Sequence, residues 1–232
     1  MAATSTNDFT DIIASSVHDM KNSVGMMLSS LEQIGESFNG APTCQCSKEQ
    51  VAMLQYEAKR VNRNLLQLLT LYRIDSGHYG PTIDEWDLME LLQEAYLLNK
   101  PLLGMYDIQL DIECADGLRL YCDRSLLLGL LDNVITNALR YSKSRMLVCA
   151  VEEGDYINIR VEDDGAGYPN NMLVDAENFV STIDFQTGST GIGLYFSNKI
   201  AAMHKNGERR GSIAIGNGGI LGGAVFTVSL PL

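Results

Sequence analysis

The sequence predicts an α + α/β fold, in which an antiparallel helical hairpin forming a dimeric four-helix bundle precedes an α/β-sandwich domain. Two observations lead to this prediction. Apolar residues recur in steps of three and four along two stretches near the N terminus, which is typical of helices that pack along a seam. Farther on, helical patterns alternate with strands of period two. Residues 76–81 contain Gly77, Gly80 and Pro81, and this break separates predicted domains of residues 1–76 and 77–232.

The hairpin is predicted from two heptad seams. The first consists of Ile13, Val17, Met20, Val24, Met27, Leu31 and Ile34, and the second of Val51, Leu54, Ala58, Val61, Leu65, Leu68 and Tyr72. Asn39-Gly40 and Pro42 lie between them and break helices, so the two helices are expected to run antiparallel. Because one helical pair cannot bury both seams, a symmetric dimer with a four-helix bundle is the expected assembly.

A histidine, a carboxylate and an amide lie close together in the first predicted helix. His18 follows the seam residue Val17 and is therefore on the flank of the seam, while Asn22 is one turn farther along the same face. Asp19 is rotated by about 100° around the helix axis. Read alone, a helical histidine is more often a surface or core residue than a nucleophile, so the rest of the chain decides its role.

The predicted elements of the α/β domain begin with a strand near residues 82–86. Asp87 is the candidate N-cap of a helix that ends near Gly104, and Asp123 is that of a helix that ends near Tyr141. Residues 168–190 have no clear periodicity and are long enough to form a lid. The remaining elements are strands at 107–113, 118–122, 157–163, 211–216 and 224–230, and a helix that opens at Gly191 and runs to Met203.

Two positions in this domain are candidates for ligand binding. Asn133, Asn137 and Arg140 form a polar stripe on one helix, which by pattern alone favours a solvated face. Asp163 ends a strand in which apolar residues alternate with polar ones, and the period of two places it on the apolar side. A carboxylate on a buried face requires a hydrogen-bonding partner. The glycines that follow at 165 and 167 would let a flat ligand approach the backbone closely.

Composition excludes several classes of function. The chain of 232 residues carries 17 basic and 29 acidic side chains, and its net charge of −12 disfavours nucleic acid and anionic lipid. No apolar run approaches the ~20 residues that span a bilayer, and the N terminus lacks a signal-peptide pattern. We therefore expect a cytoplasmic chain with no membrane segment. The five cysteines are interpreted as incidental thiols, with a metal or redox site at Cys44 and Cys46 as the alternative.

Three motifs follow one another in the α/β part, namely Asn133-Val-Ile-Thr-Asn137-Ala138, Asp163-Asp-Gly165-Ala-Gly167 and Gly191-Ile-Gly193-Leu194. Their order and separation resemble the N, G1 and G2 boxes of the Bergerat-fold ATP-binding domain that histidine kinases share with DNA gyrase, Hsp90 and MutL. The hairpin with its His-Asp-x-Lys-Asn stretch is similar to the dimerisation and phosphoacceptor domain of sensor histidine kinases. The resemblance covers essentially the whole chain, about 8–75 for the hairpin and 82–232 for the catalytic domain.

The resemblance implies binding of ATP and Mg²⁺ and gives each matching residue a role. Asn137 would coordinate the Mg²⁺ that bridges the phosphates, and Asn133 would line the same site. Asp163 would accept the adenine amino group. Arg140 would approach the phosphates and Tyr141 would form part of the pocket wall. The glycines of the last two boxes would shape the lid and its hinges, and these residues are Gly165, Gly167, Gly191 and Gly193, with Leu194 completing the last box.

The resemblance also implies an activity, that of a protein-histidine kinase. His18 would attack the γ-phosphate of ATP, with Asp19 orienting or deprotonating its imidazole, and a homodimer would pass the phosphoryl group to an aspartate of a response regulator receiver domain. The spacing of Asp19 and Asn22 is also similar to the motif with which some family members dephosphorylate their regulator, which we treat as a hypothesis. Because the first seam begins close to Met1, we expect a separate sensor or upstream protein to provide the input, unless the chain is an excised kinase core.

The sequence departs from the pattern of the family in three respects. Ser23 replaces the proline that commonly follows the histidine, Ser189 replaces the first glycine of the G2 pattern, and no clear F box is present, with Phe179 and Phe185 as candidates. Two alternative functions stay open. One is a histidine phosphotransfer protein that does not handle ATP, and the other is a regulatory pseudokinase that binds ATP without turnover. The sequence leaves open the input signal, the cognate regulator and whether phosphorylation occurs within or across subunits.

Overall fold

The computed structural model of the chain describes residues 17, 20–29, 31, 48–174 and 192–232. These residues form two compact units, the first made of the described residues up to Tyr79 together with Ile192, and the second of residues 80–174 and 193–232. Within the described residues, no helix is both long enough and apolar enough to cross a membrane.

The first unit contains the helical parts of the predicted hairpin. Residues 20–29 are helical, and helix α1 spans Lys48–Asp75, so the second predicted helix is confirmed. Gly77, with a φ of 70°, ends α1, and the His78 N–H donates to the Arg73 carbonyl at 2.8 Å. The predicted turn, including Cys44 and Cys46, lies outside the described residues, and the antiparallel pairing and the four-helix bundle stay predictions.

The second unit is an α/β sandwich built on a mixed five-stranded sheet. The elements are β1 (Asp84–Asp87), α2 (Leu88–Met105), β2 (Gln109–Cys114), β3 (Arg119–Cys122), α3 (Arg124–Tyr141), β4 (Arg145–Glu153), β5 (Tyr156–Asp163), α4 (Asn170–Val174), α5 (Ile192–Met203), β6 (Lys205–Asn206), β7 (Arg209–Arg210), β8 (Ser212–Asn217) and β9 (Ala224–Pro231).

The strand order of the five-stranded sheet is β2-β4-β5-β9-β8. Strands β2 and β4 are parallel and the other neighbours are antiparallel, while β1 pairs with β3 and β6 pairs with β7. Helices α2 and α3 pack against each other and against the sheet.

Both predicted N-caps are confirmed by side-chain hydrogen bonds. The Asp87 carboxylate accepts from the Glu90 N–H at 3.3 Å, and the Asp123 carboxylate accepts from the Leu126 N–H at 3.0 Å. Each bond satisfies one of the backbone donors that a helix leaves unpaired in its first turn. The cap at Asp123 therefore defines where α3 begins, and α3 carries the polar stripe.

The face of the sheet that bears Asp163 is the buried face, as predicted. In the register of β4 and β5, Met146 lies opposite Asp163 and Val148 opposite Val161, and Phe226 of β9 pairs with Val161. All five side chains are less than 5% exposed. The apolar rows of three strands thus pack into one core, and Asp163 ends the row of β5.

Two features of the sheet differ from the prediction. The sequence reading did not include β4, whose residues 146–150 form a continuous apolar run without the alternation that marks a half-exposed strand. The alternation along β5 predicts that Glu162 lies on the polar side of the strand, but its side chain is 3% exposed. Its carboxylate accepts a hydrogen bond from the Ile220 N–H at 2.6 Å, because the β8–β9 loop covers this end of the strand.

Candidate functional site

Several predicted site residues lie outside the described residues, namely His18, Asp19 and Gly191, together with Phe179, Phe185 and Ser189. Asn22 belongs to the helical segment 20–29 and is exposed to solvent. Ser23 is buried within the same helical segment, so the position where a proline was expected continues the helix. The geometry of the candidate site is therefore that of the second unit.

Asn133 joins α3 to the first turn of α5. Its side chain is 5% exposed, and its Nδ2 donates to the Gly193 carbonyl at 2.9 Å and to Ser197 Oγ at 3.1 Å. The solvated-face interpretation is therefore wrong for this residue, while Asn137 and Arg140 are exposed as that interpretation requires. Ser197 was not predicted, although its position one turn after Gly193 places it on the same face of α5.

Gly193 allows the two amides of α3 to approach α5. A Cβ at this position would lie 2.9 Å from Asn133 Oδ1 and 3.1 Å from Asn137 Nδ2, which is closer than carbon atoms normally come to such groups. Only glycine accommodates this approach without displacing both side chains. Asn133, Asn137 and the start of α5 thus converge on one point, and the next residue, Leu194, is half-buried there.

Asp163 is held by the backbone of two loops. Its Oδ1 accepts from the Gly165 N–H at 2.8 Å and from the Ala224 N–H at 3.1 Å, and its backbone carbonyl accepts from the Gly223 N–H at 3.0 Å. The side chain is 3% exposed. Both side-chain bonds end on the same oxygen, so the orientation of the carboxylate is fixed and Oδ2 is left as an acceptor.

The loops around Asp163 meet at distances that only glycine permits. A Cβ on Gly165 would collide with the Tyr141 carbonyl, and a Cβ on Gly223 would lie 2.6 Å from the Gly165 nitrogen. Gly165 was predicted to shape this region, whereas Gly223 was missed because it lies far along the chain in a loop whose own sequence indicates only a turn. The end of α3, the loop after β5 and the β8–β9 loop therefore form one closely packed cradle.

Asp164 fastens the loop that follows α3 to the glycine loop. Its carboxylate accepts from the Lys143 N–H at 2.8 Å, from the Ser144 N–H at 3.0 Å and from Ser144 Oγ at 2.7 Å. Partial burial acts to raise the pKa of Asp164, but the hydrogen bonds from Ser144 and Lys143 outweigh it and hold the pKa well below its usual value. Tyr141 precedes this loop, and the Arg140 guanidinium lies 5.8 Å from the centre of its ring.

The donor set fits a nucleotide with Mg²⁺. Mg²⁺ is usually held by one or two protein oxygens together with phosphate oxygens and water, so it needs no cluster of carboxylates. The exposed amide of Asn137 offers one such oxygen, and the exposed guanidinium of Arg140 suits phosphate. The first turn of α5 presents backbone N–H groups, which also suit an anion.

The comparisons with known proteins agree with this arrangement. Residues 122–232 match the family described as histidine kinase-, DNA gyrase B- and HSP90-like ATPase. The sensor-like histidine kinase SenX3 of Mycobacterium tuberculosis is 28% identical over 227 residues, which are 95% of this chain and 53% of the relative. The chain therefore spans about half the length of the curated relatives it matches.

Solved structures of histidine kinases share the fold. The histidine kinase AdeS of Acinetobacter baumannii has a TM-score of 0.64 at 17% identity, with 92% of this chain and 97% of that chain covered. The histidine kinase ThkA, solved in complex with the response regulator protein TrrA, has a TM-score of 0.61 at 18% identity, with 94% and 60% covered.

Proposed function

We propose that the chain is a sensor histidine kinase and acts as an ATP-dependent protein-histidine kinase core that phosphorylates His18. The observation that supports the proposal most strongly is that the second unit positions both a pair of amides and a buried carboxylate. Asn133 and Asn137 converge on Gly193 at the start of α5, and Asp163 is fixed in the glycine cradle. An exposed amide and a buried carboxylate suit the two ends of ATP, the phosphates with their Mg²⁺ and the adenine.

The proposed roles follow from the chemistry of each group. Asp163 Oδ2 accepts a hydrogen bond from the adenine amino group, and the buried site strengthens that bond. Asn137 supplies an oxygen to Mg²⁺, which offsets charge on the phosphates when bound. Asn133 lines the site mainly by holding the start of α5 in place. Arg140 approaches the phosphates, and Tyr141 forms part of the wall of the pocket.

The phosphoryl transfer is proposed as an in-line displacement at the γ-phosphorus. A neutral ring nitrogen of His18 forms the new P–N bond while the bond between the γ-phosphorus and the bridging oxygen breaks, and ADP leaves with that electron pair. Asp19 orients the imidazole and takes up its ring proton. The phosphoryl group then moves from His18 to an aspartate of a receiver domain. The histidine kinase ThkA, solved in complex with the response regulator protein TrrA, supports a partner of this kind.

The remaining parts of the proposal concern the assembly. We place a dimerisation and phosphotransfer domain in residues 1–76 and a catalytic domain in residues 77–232. In the described part of α1, Leu65, Leu69 and Tyr72 recur along one face and are 51%, 46% and 56% exposed, which supports a homodimer that covers them. Use of ATP and of a receiver domain fits a cytoplasmic location.

Radioactive labelling tests the proposal directly. Incubation with Mg²⁺ and γ-labelled ATP should give an acid-labile, alkali-stable label that is absent in His18→Gln, because phosphohistidine hydrolyses in acid. The change His78→Gln is the matched control, since His78 lies in an exposed turn after α1. Stable labelling of His18→Gln contradicts the assignment. ATP binding without labelling of the wild type would instead favour a regulatory pseudokinase, and absence of ATP binding would favour a phosphotransfer protein.

A further inference from the structure

His204 follows the last residue of α5 and connects this helix to the N-cap of α3. Its Nδ1 donates to the Ile200 carbonyl at 2.9 Å, and its Nε2 accepts from the Asp123 N–H at 3.1 Å. Because a carbonyl can only accept and a backbone N–H can only donate, the two partners define one neutral tautomer of the ring. The side chain is 2% exposed, so water has little access to either bond.

Asp123 brings several segments together at this point. One of its carboxylate oxygens caps α3 at Leu126, and the other accepts from the Thr82 N–H at 2.9 Å. The backbone of His204 is held as well, because its carbonyl accepts from the Gly211 N–H at 2.8 Å. The end of α5 therefore has a defined position relative to the beginning of α3.

The start of α5 is attached to α3 at a second place. Asn133 Nδ2 donates to the Gly193 carbonyl and to Ser197 Oγ. Between the two attachments, Phe196 lies over Gly129, where a Cβ on the glycine would be 3.7 Å from the ring. The attachments are about 15 Å apart along α3. Helix α5 thus runs antiparallel to α3 and is hydrogen-bonded to it near both of its own ends.

Two attachments determine how far α5 can slide along α3, whereas a single one would allow the helix to shift or tilt. The shift matters at Gly193, because its backbone packs directly on the side chains of Asn133 and Asn137. If α5 moved along its axis, the N–H groups of its first turn would no longer face the same point as the Asn137 amide. The attachment at the end of α5 therefore affects the site at its start.

We infer that His204 is a positioning residue for nucleotide binding, which holds the end of α5 at Asp123 and so keeps Gly193 against Asn133 and Asn137. The inference rests on the proposed function. It goes beyond that function because it assigns a part in ligand affinity to a side chain at the opposite end of α5 from the proposed phosphate site.

Asparagine and glutamine separate the two bonds of His204. The amide of asparagine reaches about as far as Nδ1, so His204→Asn keeps the bond to Ile200 and leaves the Asp123 N–H without an acceptor. The amide of glutamine reaches about as far as Nε2, so His204→Gln keeps an acceptor for Asp123 and loses the bond to Ile200. Each variant loses one bond of a buried ring, so a general loss of stability affects both.

Affinity for Mg-AMPPNP is measured by calorimetry in the full chain at about pH 8, where the lowered pKa of His204 keeps the wild-type ring neutral. We expect His204→Asn to bind about fivefold more weakly, because α5 then occupies the binding position only part of the time. His204→Gln should stay within about twofold of the wild type.

Asn99→Ala is the matched control for these variants and should bind like the wild type. Asn99 is 1% exposed, and its Nδ2 donates to the Ala95 carbonyl four residues earlier, as Nδ1 of His204 does to Ile200. It belongs to α2, however, and not to α5. The control therefore reports what the loss of a buried helical hydrogen bond does by itself.

A measurement on the unchanged chain covers the case in which a variant does not fold. Because coupling between two positions is reciprocal, nucleotide bound at the start of α5 should also strengthen the bond at its end. Hydrogen–deuterium exchange of the Asp123 amide should therefore slow on addition of Mg-AMPPNP. The factor should exceed that for the Glu90 amide, which is hydrogen-bonded to the N-cap of α2.

The outcomes distinguish this inference from the proposed function. In a wild type that binds nucleotide, equal affinity of His204→Asn and His204→Gln, or weaker binding by His204→Gln, overturns the inference alone. Equal slowing of the Asp123 and Glu90 amides does the same. A wild type that binds no nucleotide overturns the proposed function and this inference with it.

Discussion

The carboxylate of Asp163 has two separable tasks, and replacing it by alanine or by asparagine should separate them. Asp163→Ala removes the acceptor of the Gly165 and Ala224 N–H groups at a side chain that is 3% exposed. A buried donor without a partner costs about 1–3 kcal/mol, so two of them should lower the free energy of unfolding by about 3 kcal/mol. Asp163→Asn keeps an oxygen for both donors and exchanges charge-assisted bonds for neutral ones, which should cost about 1 kcal/mol.

Nucleotide binding should respond differently to the two variants. In Asp163→Asn the amide nitrogen takes the place of the outer oxygen and faces the adenine amino group donor to donor. We therefore expect ATP affinity to fall by at least about tenfold although the domain stays folded. Urea unfolding followed by circular dichroism measures stability, and calorimetric titration measures binding. Asp111→Asn is the control, because the carboxylate of Asp111 is solvent-accessible and lies 3.1 Å from the Arg145 guanidinium, outside the cradle. Equal stability of the two Asp163 variants, or wild-type affinity of Asp163→Asn, would refute the reasoning.

Three further predictions concern the effect of pH on stability and the hypothesis that the chain also dephosphorylates its response regulator. Burial lowers the pKa of His204, whose ring nitrogen accepts from the Asp123 N–H at 3.1 Å. Below pH ~6.5 the unfolded chain therefore binds a proton that the folded chain does not, so the free energy of unfolding should decrease as the pH is lowered. Urea titrations at several pH values should show this decrease for the wild type and a smaller decrease for His204→Gln. Because the pKa of Asp164 is low in the folded chain, its carboxylate contributes to the free energy of unfolding above about pH 4, and this contribution is lost as the pH falls further. The stability of Asp164→Asn should therefore decrease less in acid than that of the wild type. Parallel curves of stability against pH for the two proteins would contradict this prediction. Asn22→Ala should still be labelled by ATP but should dephosphorylate the receiver domain more slowly, and dephosphorylation at the wild-type rate would argue against that activity.

Local patterns were sufficient for most elements of the described second unit. The caps at Asp87 and Asp123 depend on neighbours within a few residues, and the alternation along β5 that predicted the burial of Asp163 is also a local pattern, so the sequence could indicate them. Strand β4 was missed because a strand buried on both faces lacks alternation. Glu162 was misplaced because the loop that covers it comes from residues far along the chain.

The sequence by itself determined which residue types are available: a carboxylate on an apolar strand face, two amides four residues apart on α3, and glycines at the loop ends. Only the tertiary structure decided what each one does. Asn133 is buried and hydrogen-bonded to α5, whereas Asn137 is exposed, although both belong to one helical stripe. The difference arises because α5 packs over Asn133. The links from Gly223 to Asp163 and from Asn217 to Tyr168 join segments distant in sequence, and such contacts arise from strand order, which no local pattern specifies.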